Sequence, residues 1–446
     1  MSVKLFVDDE LIPNDGCLKV INDFDNKTKC NIYVYPDVHL KKNSKMSNGT
    51  LIYSDDSIFL SCLGVENCGF TFGGIECDDR NELIKSFKSY SSILKNRADL
   101  PKYSSIWIRK QFEMRLVDDF FDNLYLYDFL GLDTKESIIE KSRVVINDEI
   151  IDRATENINT LGGGNHFFEI HEVAESQSGE SWLQKGKFIF MLHSDSINVG
   201  DYVFNLYSDL YEMRHNNESR VKGFIATELF RRKRNRYFKR IGLINDRNRE
   251  ELDKLNDDHD DYKQISAKSD VGKELIFAHH IAALFGDMNR LSIIENWSKS
   301  QHLNYTIKGN QSHDMLSVEE HDGKRVIVHR NGVQKVGNNE YCILPGAMGS
   351  TSFVLKNPKN SEVFYSTNHG AGRNQDKHIA RGIYDESDTC LELKNRNISL
   401  FKIKNGNMAE QNMKAFKDPN LVLEQMQKYR LATVLAKTIP VAILKE

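Results

Sequence analysis

The chain has 446 residues, with 60 Lys and Arg against 64 Asp and Glu and a formal net charge of −4. That length can bury a large core, in one big domain or in two of ordinary size, and the near-neutral balance excludes a generally basic surface as an argument for nucleic-acid binding. Seven cysteines without paired spacing favour reduced thiols and no disulfide framework.

Neither a membrane span nor a signal peptide is expected. No run of about 18 apolar residues occurs in the sequence. The first residues, MSVKLFVDDELIP, lack a cationic region followed by an apolar stretch. We therefore expect a soluble protein of the cytoplasm that does not associate with membranes.

The first 80 residues predict a sheet-rich beginning, in which short strands are separated by Asn, Asp and Gly clusters. The motif YPDVH, at residues 35–39, places polar groups at a sheet rim, where functional sites tend to lie. Taken alone, the motif is weak, and a solvated turn is the simpler interpretation. The expected strands are Lys4–Phe6, Asn31–Tyr35, Thr50–Tyr53 and Ile58–Cys62.

Cys68 lies in a turn, LGVENCG, with a glycine near each end. Such a cysteine usually acts as a small buried hydrophobe, but as a thiolate it can also bind or bridge soft or borderline metals. The following residues have apolar side chains at the helical period. They predict helices over Asn81–Leu94 and Phe112–Phe121, with Pro101 interrupting the pattern between them.

Three consecutive glycines precede Asn165 and His166 in the stretch TLGGGNHFFE, residues 160–169. Glycine runs occur where the backbone needs positive φ or the close approach of a ligand, commonly a phosphate. A tight turn with a satisfied histidine behind it is the structural alternative. Histidine is a common metal ligand, and Asn165 could orient a polar ligand, so this stretch is a candidate site.

A continuous apolar run at Lys187–Leu192 predicts a buried strand that ends at His193. Farther on, Arg220–Arg240 interleaves cations with aromatic residues. This segment fits either a solvated helix or a groove that follows a phosphate backbone and stacks bases. Val271–Ile294 has a helical pattern, and we interpret its adjacent His279 and His280 as helix surface and core.

The C-terminal third predicts short strands joined by Gly and Asn turns, then a helix over Asn420–Ala436 and a last strand at Pro440–Lys445. Polar junctions lie at residues 312–314, 345–350 and 368–373. In the last of these, a histidine beside a Gly-x-Gly-Arg turn could present its imidazole to a phosphate held by arginine. The strand candidates are Met315–Glu319, Arg325–His329, Tyr341–Leu344, Ser352–Leu355 and Val363–Tyr365.

Four potential metal ligands stand at glycine- or serine-rich junctions beside predicted strands. One such histidine is usually structural, but four comparable positions indicate a shared site, and a sulfur and nitrogen set suits Mn, Zn or Fe better than Mg. The four residues are Cys68, His166, His193 and His313.

The chain resembles the RtcB family of RNA ligases, and the matching motifs occur in family order over nearly its whole length. They are PDVH at 36–39, NCG at 67–69, GGGNHFFE at 162–169, HSDS at 193–196, HRNGV at 329–333, PGAMGS at 345–350, NHGAGR at 368–373 and AFKD at 415–418, with a lysine at 445. Together with the absence of a repeat or linker, the resemblance implies one α+β domain over residues 1–446, with layered mixed and antiparallel sheets flanked by helices.

The resemblance also implies a function. The family joins RNA ends with a 3′-phosphate or 2′,3′-cyclic phosphate to 5′-hydroxyl ends, in RNA repair or tRNA splicing, with GTP and manganese. By this resemblance His369 becomes guanylylated and the four ligands named above hold metal. The implied partner is RNA with broken ends, tRNA among the candidates, and no particular helper protein is indicated. The implied nucleotide-binding residues are Asn165, Glu169, Gly370, Ala371, Gly372, Arg373, Phe416 and Lys445.

Several residues depart from the family pattern. Val65 stands where the family has an aspartate metal ligand, and Glu66 beside it would point to the opposite face of an extended chain. Residues 193–198 lack an expected arginine, and Ala347, Asp314 and Asn331 stand where the family usually has serine, asparagine and lysine. We therefore expect one tight Mn²⁺ site and a second that fills only with GTP.

Three functions remain open from the sequence. The first is a divergent GTP- and Mn-dependent RNA ligase. The second is a metal-dependent phosphoesterase acting on RNA ends. The third is a noncatalytic protein that binds RNA ends on the same scaffold.

Overall fold

A computed structural model describes residues 3–14, 16–41, 44–207, 232, 235–240, 242, 262–357 and 361–446. The α-helices with described ends are Cys17–Thr28 (α1), Arg80–Asn96 (α2), Ser105–Asp119 (α3), Leu124–Leu130 (α4), Lys135–Val145 (α5), Asp148–Asn157 (α6), Asn198–Tyr207 (α7), Asp270–Gln301 (α8), Lys377–Ile383 (α9), Glu386–Asn395 (α10) and Pro419–Lys428 (α11).

The strands fall into two large sheets and two short pairs in the described residues. They are Val3–Leu5 (β1), Asn31–His39 (β2), Asn48–Ser54 (β3), Ser57–Phe59 (β4), Gly69–Ile75 (β5), Phe167–Ser176 (β6), Phe188–Ser194 (β7), Gln264–Ser266 (β8), Tyr305–Ser312 (β9), Asp314–His321 (β10), Lys324–Asn331 (β11), Val333–Lys335 (β12), Tyr341–Leu344 (β13), Ser352–Lys356 (β14), Ser366–Asn368 (β15), Ser399–Lys402 (β16) and Thr433–Lys445 (β17).

Each large sheet combines strands from both ends of the chain. The first has the order β1-β2-β3-β11-β10, and the second has β13-β14-β17-β6-β7-β5-β9 with β16 beside β17. The pairs β1/β2 and β16/β17 are parallel, and the other pairs within these sheets are antiparallel. The predicted α+β class with mixed and antiparallel sheets is therefore confirmed.

The register of the second sheet brings distant parts of the sequence to one edge. Gly69 at the start of β5 pairs with Ser194 at the end of β7 and with Ser312 at the end of β9. Phe167 at the start of β6 pairs with His193. Because antiparallel neighbours begin where their partners end, the residues next to these strand ends converge.

Helix α8 packs behind this edge and ties the strands together. Its Asn289 donates to the backbone oxygen of Thr160 and to Ser194 Oγ. Its fully buried Arg290 pairs with Asp287 and donates to the Ser194 backbone oxygen. The strand ends are thus held by polar contacts satisfied inside the core, as buried polar groups must be.

Several sequence predictions are confirmed and others are wrong. The helices expected at 81–94, 112–121 and 271–294 and the strand at 187–192 are present with adjusted ends. Helix α1 was not expected; it buries Cys17, Ile21 and Phe24 on one face, at helical spacing that the surrounding Asn and Asp residues obscured.

Three further expectations are corrected. Strand β2 continues through Pro36 to His39 instead of ending at Tyr35. Residues 363–365 do not form a strand, since Phe364 and Tyr365 have φ of 55° and 49°, outside the β region. The last helix ends at Lys428, because the tail instead pairs as the long strand β17.

Two findings concern the remaining expectations. Most of Arg220–Arg240, including Arg231 and Arg234, lies outside the described residues, so the choice between a solvated helix and an RNA groove stays a prediction.

Among the described helices, none combines the length and apolarity needed to cross a membrane.

Candidate active site

The four predicted metal ligands lie together at the converging strand ends. Cys68, His166 and His193 bring one potential ligand atom each to within 4.8 Å of one another. Cys68 Sγ is 3.5 Å from His166 Nε2, and His193 Nε2 is 3.0 Å from His313 Nε2. All four side chains are buried. We call these four residues the Cys/His cluster.

The electrostatics of the Cys/His cluster suit a cation. Burial lowers the pKa of His166 to about 4 and also lowers the pKa values of His193 and His313, so the imidazoles are neutral and offer lone pairs. Burial raises the pKa of the Cys68 thiol, and a coordinated cation would deprotonate it. A thiol and facing imidazole nitrogens at these distances fit a borderline divalent metal.

The close packing of His166 explains why glycine is needed in the loop that precedes it. Gly162 and Gly164 have φ of 88° and 71°, a region that favours glycine. A Cβ on Gly162 would lie 2.4 Å from His166 Nδ1, whereas a Cβ on Gly163 would have nothing within 4 Å. The loop therefore wraps tightly around His166 at Gly162 and is open at Gly163.

His369 is oriented by a buried carboxylate from the other large sheet. Its Nδ1 donates to Asp37 Oδ2 at 2.6 Å, and its backbone N–H donates to the same oxygen at 3.0 Å. The ring centroid of His369 lies 4.8 Å from that of His313. With Nδ1 committed to Asp37, the Nε2 lone pair is the free nucleophilic atom, beside the Cys/His cluster.

A cavity opens above His369 and collects the predicted nucleotide-binding residues. Its lining includes all eight of them, Asn165, Glu169, Gly370, Ala371, Gly372, Arg373, Phe416 and Lys445, together with His193 and His369. The sequence prediction placed these residues in one site, and they share one cavity.

Arg373 is placed to bind an anion. Its Nη1 donates to the Glu410 backbone oxygen at 2.9 Å, while its buried Nη2 has no hydrogen-bond partner among the described residues. Burial lowers its pKa to about 10, which still leaves it charged at neutral pH. Its guanidinium lies 4.1 Å from the centre of the ring of Phe416, another predicted nucleotide-binding residue, and covers one face of that ring.

Glu169 and Lys445 form a second polar part of the cavity. Glu169 Oε2 is 2.7 Å from His171 Nε2, and His171 Nδ1 is 3.2 Å from Thr438 Oγ1. Burial lowers the pKa of Lys445 to about 7, with Glu169 opposing the shift. Both side chains are fixed on the paired strands β6 and β17 and face a common ligand volume.

Sequence reasoning missed several residues of this site. Asp37 was assigned to a solvated turn but is fully buried; its signal was the PDVH motif. His171 carried no signal beyond its spacing from Glu169. Glu66 and Asp195 join Cys68 and His166 in one group of potential ligands. His279 and His280, expected as surface and core, are both buried.

The fold and site define a class of α+β protein. In this class, a buried Cys/His cluster that could hold a metal ion lies next to a histidine that a carboxylate orients. Comparison of sequences narrows this class. The family model described as tRNA-splicing ligase RtcB matches residues 26–446, and the chain belongs to this family.

Curated relatives are similar at low identity. An RNA-splicing ligase RtcB1 of Escherichia coli is 26% identical over 52% of this chain and 48% of its own length. A tRNA-splicing ligase RtcB of Nanoarchaeum equitans is 23% identical over 66% and 60%, and an RNA-splicing ligase RtcB of Mycobacterium bovis is 23% identical over 67% of each. The chain thus spans about half to two thirds of the length of these relatives.

Proposed function

We propose that the protein is a GTP- and Mn²⁺-dependent RNA ligase of the cytoplasm. It joins 3′-phosphate or 2′,3′-cyclic phosphate ends to 5′-hydroxyl ends through a guanylate on His369, in RNA repair or tRNA splicing. The observation that carries the proposal is the Asp37–His369 hydrogen bond of 2.6 Å next to the Cys/His cluster. Membership of the family supports the same reaction.

The first step uses the orientation of His369. Asp37 accepts a hydrogen bond from Nδ1–H and stabilises the positive charge that develops on the ring, as the carboxylate does in a catalytic triad. Nε2 attacks the α-phosphate of GTP, the new N–P bond forms, and the bond to the β-phosphate breaks to release pyrophosphate. The Cys/His cluster would hold a divalent cation, which would neutralise the negative charge of the phosphate.

Other cavity residues position the nucleotide. The unpaired Nη2 of Arg373 donates to phosphate oxygens with the geometry that a guanidinium offers. Asn165 and Glu169 hold GMP, and Lys445 contributes its buried amine. The open face at Gly163 leaves the backbone accessible above the Cys/His cluster.

The RNA step follows from leaving-group chemistry. A 2′,3′-cyclic phosphate must first be opened by water, which breaks the bond to the 2′-oxygen and leaves a 3′-phosphate monoester. This monoester has no good leaving group, so GMP is then transferred from His369 to that phosphate. The 5′-hydroxyl oxygen then attacks the same phosphorus, and GMP leaves as the new phosphodiester forms.

Incubation with Mn²⁺ and GTP labelled at the α-phosphate tests the proposal. We expect a covalent GMP adduct on the wild-type chain and none on His369→Ala. His302→Asn, which removes an exposed histidine at the C-terminal end of α8, outside the cavity, is the matched control and should keep the adduct. An adduct that persists in His369→Ala would place the nucleophile elsewhere.

The same samples separate the alternative functions. RNA with a 2′,3′-cyclic phosphate end is added with a 5′-hydroxyl strand. Joined product supports the ligase, opening of the cyclic phosphate without an adduct supports a phosphoesterase, and binding without either reaction supports a noncatalytic RNA-end-binding protein.

A further inference from the structure

Two carboxylates accompany the Cys/His cluster although the expected aspartate is absent. Val65 occupies that aspartate's position, yet Glu66, Cys68, His166 and Asp195 each bring one potential ligand atom to within 4.8 Å of the others. Glu66 Oε2 is 3.7 Å from Cys68 Sγ, and Asp195 Oδ2 is 3.8 Å from His166 Nε2.

Glu66 and Cys68 face the same way. The backbone turns between them, since Asn67 has φ of 48°, and the 3.7 Å contact of Glu66 Oε2 with Cys68 Sγ shows their shared direction. The Ser196 backbone N–H and Ser196 Oγ both donate to the Glu66 backbone oxygen at 2.9 Å, which fixes this turn. Val65 instead packs against the largest apolar cluster. Val65 therefore points into the apolar core, and Glu66 points toward the Cys/His cluster.

Asp195 is preorganised with one oxygen available. Its Oδ1 accepts the Ile197 backbone N–H at 2.8 Å, and Ile197 has φ of 49°, so a tight turn holds the carboxylate in place. Its Oδ2 points toward His166. Asp195 is 8% exposed, and a carboxylate at that depth needs a compensating charge.

The donors fall into groups that share a sulfur. Cys68 with His166, Glu66 and Asp195 forms one group. In other groups, His193 and His313 each bring a ligand atom to within 4.8 Å of Cys68, and His313 does so together with Asp314. Carboxylate oxygens favour harder cations such as Mn²⁺. Thiolate and imidazole ligands can bind the same cation when carboxylates complete a mixed site. The buried thiol and two carboxylates would repel one another when ionised, and a divalent cation removes that repulsion.

We propose that Asp195 and Glu66 are the oxygen ligands of a second divalent-cation site, shared with Cys68 and His166, that replaces the missing aspartate. The inference rests on the proposed metal-dependent function and changes one expectation drawn from the sequence. The second cation binds to the protein without GTP, because the chain itself supplies its oxygens.

Metal titration of the nucleotide-free chain tests this inference. The metal-stripped protein is titrated with Mn²⁺ by calorimetry, and bound metal is counted by elemental analysis after dialysis. The wild-type chain should bind two ions. Asp195→Asn should weaken the second ion at least tenfold and leave the first unchanged, and the double variant with Glu66→Gln should bind one ion.

Controls separate a site effect from a folding effect. Glu175→Gln changes an exposed carboxylate at the far end of β6 and should keep two ions. Lys41 and Lys377 also face Glu66 and lower the pKa of its carboxyl, so Asp195→Asn is the cleaner single change. Electron paramagnetic resonance of the wild-type chain needs no variant, and two Mn²⁺ ions sharing Cys68 should give an exchange-coupled signal.

Defined results would overturn the inference. One is a wild-type chain that binds a single Mn²⁺ in the absence of GTP, and another is a double variant that keeps both ions. Because these measurements omit GTP and RNA, two ions without a GMP adduct would leave the inference standing and refute the ligase. An adduct on a chain that binds one ion would do the reverse.

Discussion

At the scale of single residues, Asp37 decides which nitrogen of His369 can react. Its Oδ2 accepts N–H groups from the His369 ring and from the backbone of His369 and Gly370. In Asp37→Asn an amide can turn its donor toward Nδ1 and favour the wrong tautomer. We expect adduct formation to slow on the order of 10²- to 10⁴-fold with GTP binding retained, measured by rapid-quench labelling. Asp23→Asn, an exposed change on α1, is the control; equal losses of GTP affinity and rate would contradict the positioning role.

Lys445 makes stability depend on pH. Its folded pKa is about 7 against the usual 10.5, so between these values the unfolded chain binds one more proton than the folded chain. The free energy of unfolding should therefore rise with pH from about 7 to 10, by up to about 1.4 kcal/mol per pH unit from this group. Lys445→Met should remove that slope, stabilise the protein near pH 7 and weaken GTP binding, as followed by urea unfolding at several pH values. Lys437→Met on the same strand should keep the slope.

At the scale of elements, the glycine loop before β6 offers a matched pair of changes. Gly162→Ala combines a positive φ with a Cβ only 2.4 Å from His166 Nδ1, and we expect it to cost about 1–3 kcal/mol and to lower Mn²⁺ affinity about 10- to 100-fold. Gly163→Ala has open space around its new Cβ and should change stability by less than about 0.5 kcal/mol. Chemical denaturation and metal titration report both quantities. Similar effects of the two changes would show that the loop does not position His166.

At the scale of the whole molecule, the cores connect segments far apart in the chain. The largest apolar cluster joins Ile58, Ile150, Phe285 and Leu316, from strands and helices of both halves. We therefore expect the single domain predicted over residues 1–446 to unfold in one transition.

Tryptophan fluorescence can test that expectation, because the three tryptophans report on different layers. Trp107 contacts the helical core, Trp182 packs on one side of the second large sheet, and Trp297 is a buried residue of α8. In variants that keep one tryptophan each, with the other two replaced by phenylalanine, urea midpoints should coincide. An earlier transition at Trp107 would show that the helical layer of α3 to α6 unfolds separately.

The sequence by itself determined the elements with strong local patterns. The apolar period of α8, the continuous apolar run of β7, and motifs such as GGGNHF and HGAGR indicated a helix, a strand, the family and the chemistry. These features depend on neighbours along the chain, so they are visible without tertiary contacts. Local patterns failed where pairing partners decided the outcome, as in the tail, where β17 replaces the end of a predicted helix.

Only the tertiary structure decided how the site is completed. Asp37 lies 332 residues from His369 in the chain, and its motif alone suited a solvated turn. Glu66 was expected to point away from the site because its direction was judged against that of Val65, but in the structure Val65 packs against the apolar core and Glu66 lies beside Cys68. Asp195 and Cys68 are more than a hundred positions apart in the chain, and they meet because the start of β5 pairs with the end of β7. Side-chain directions within an element follow from its period, but the meeting of strand ends depends on the register of pairs that are distant in sequence.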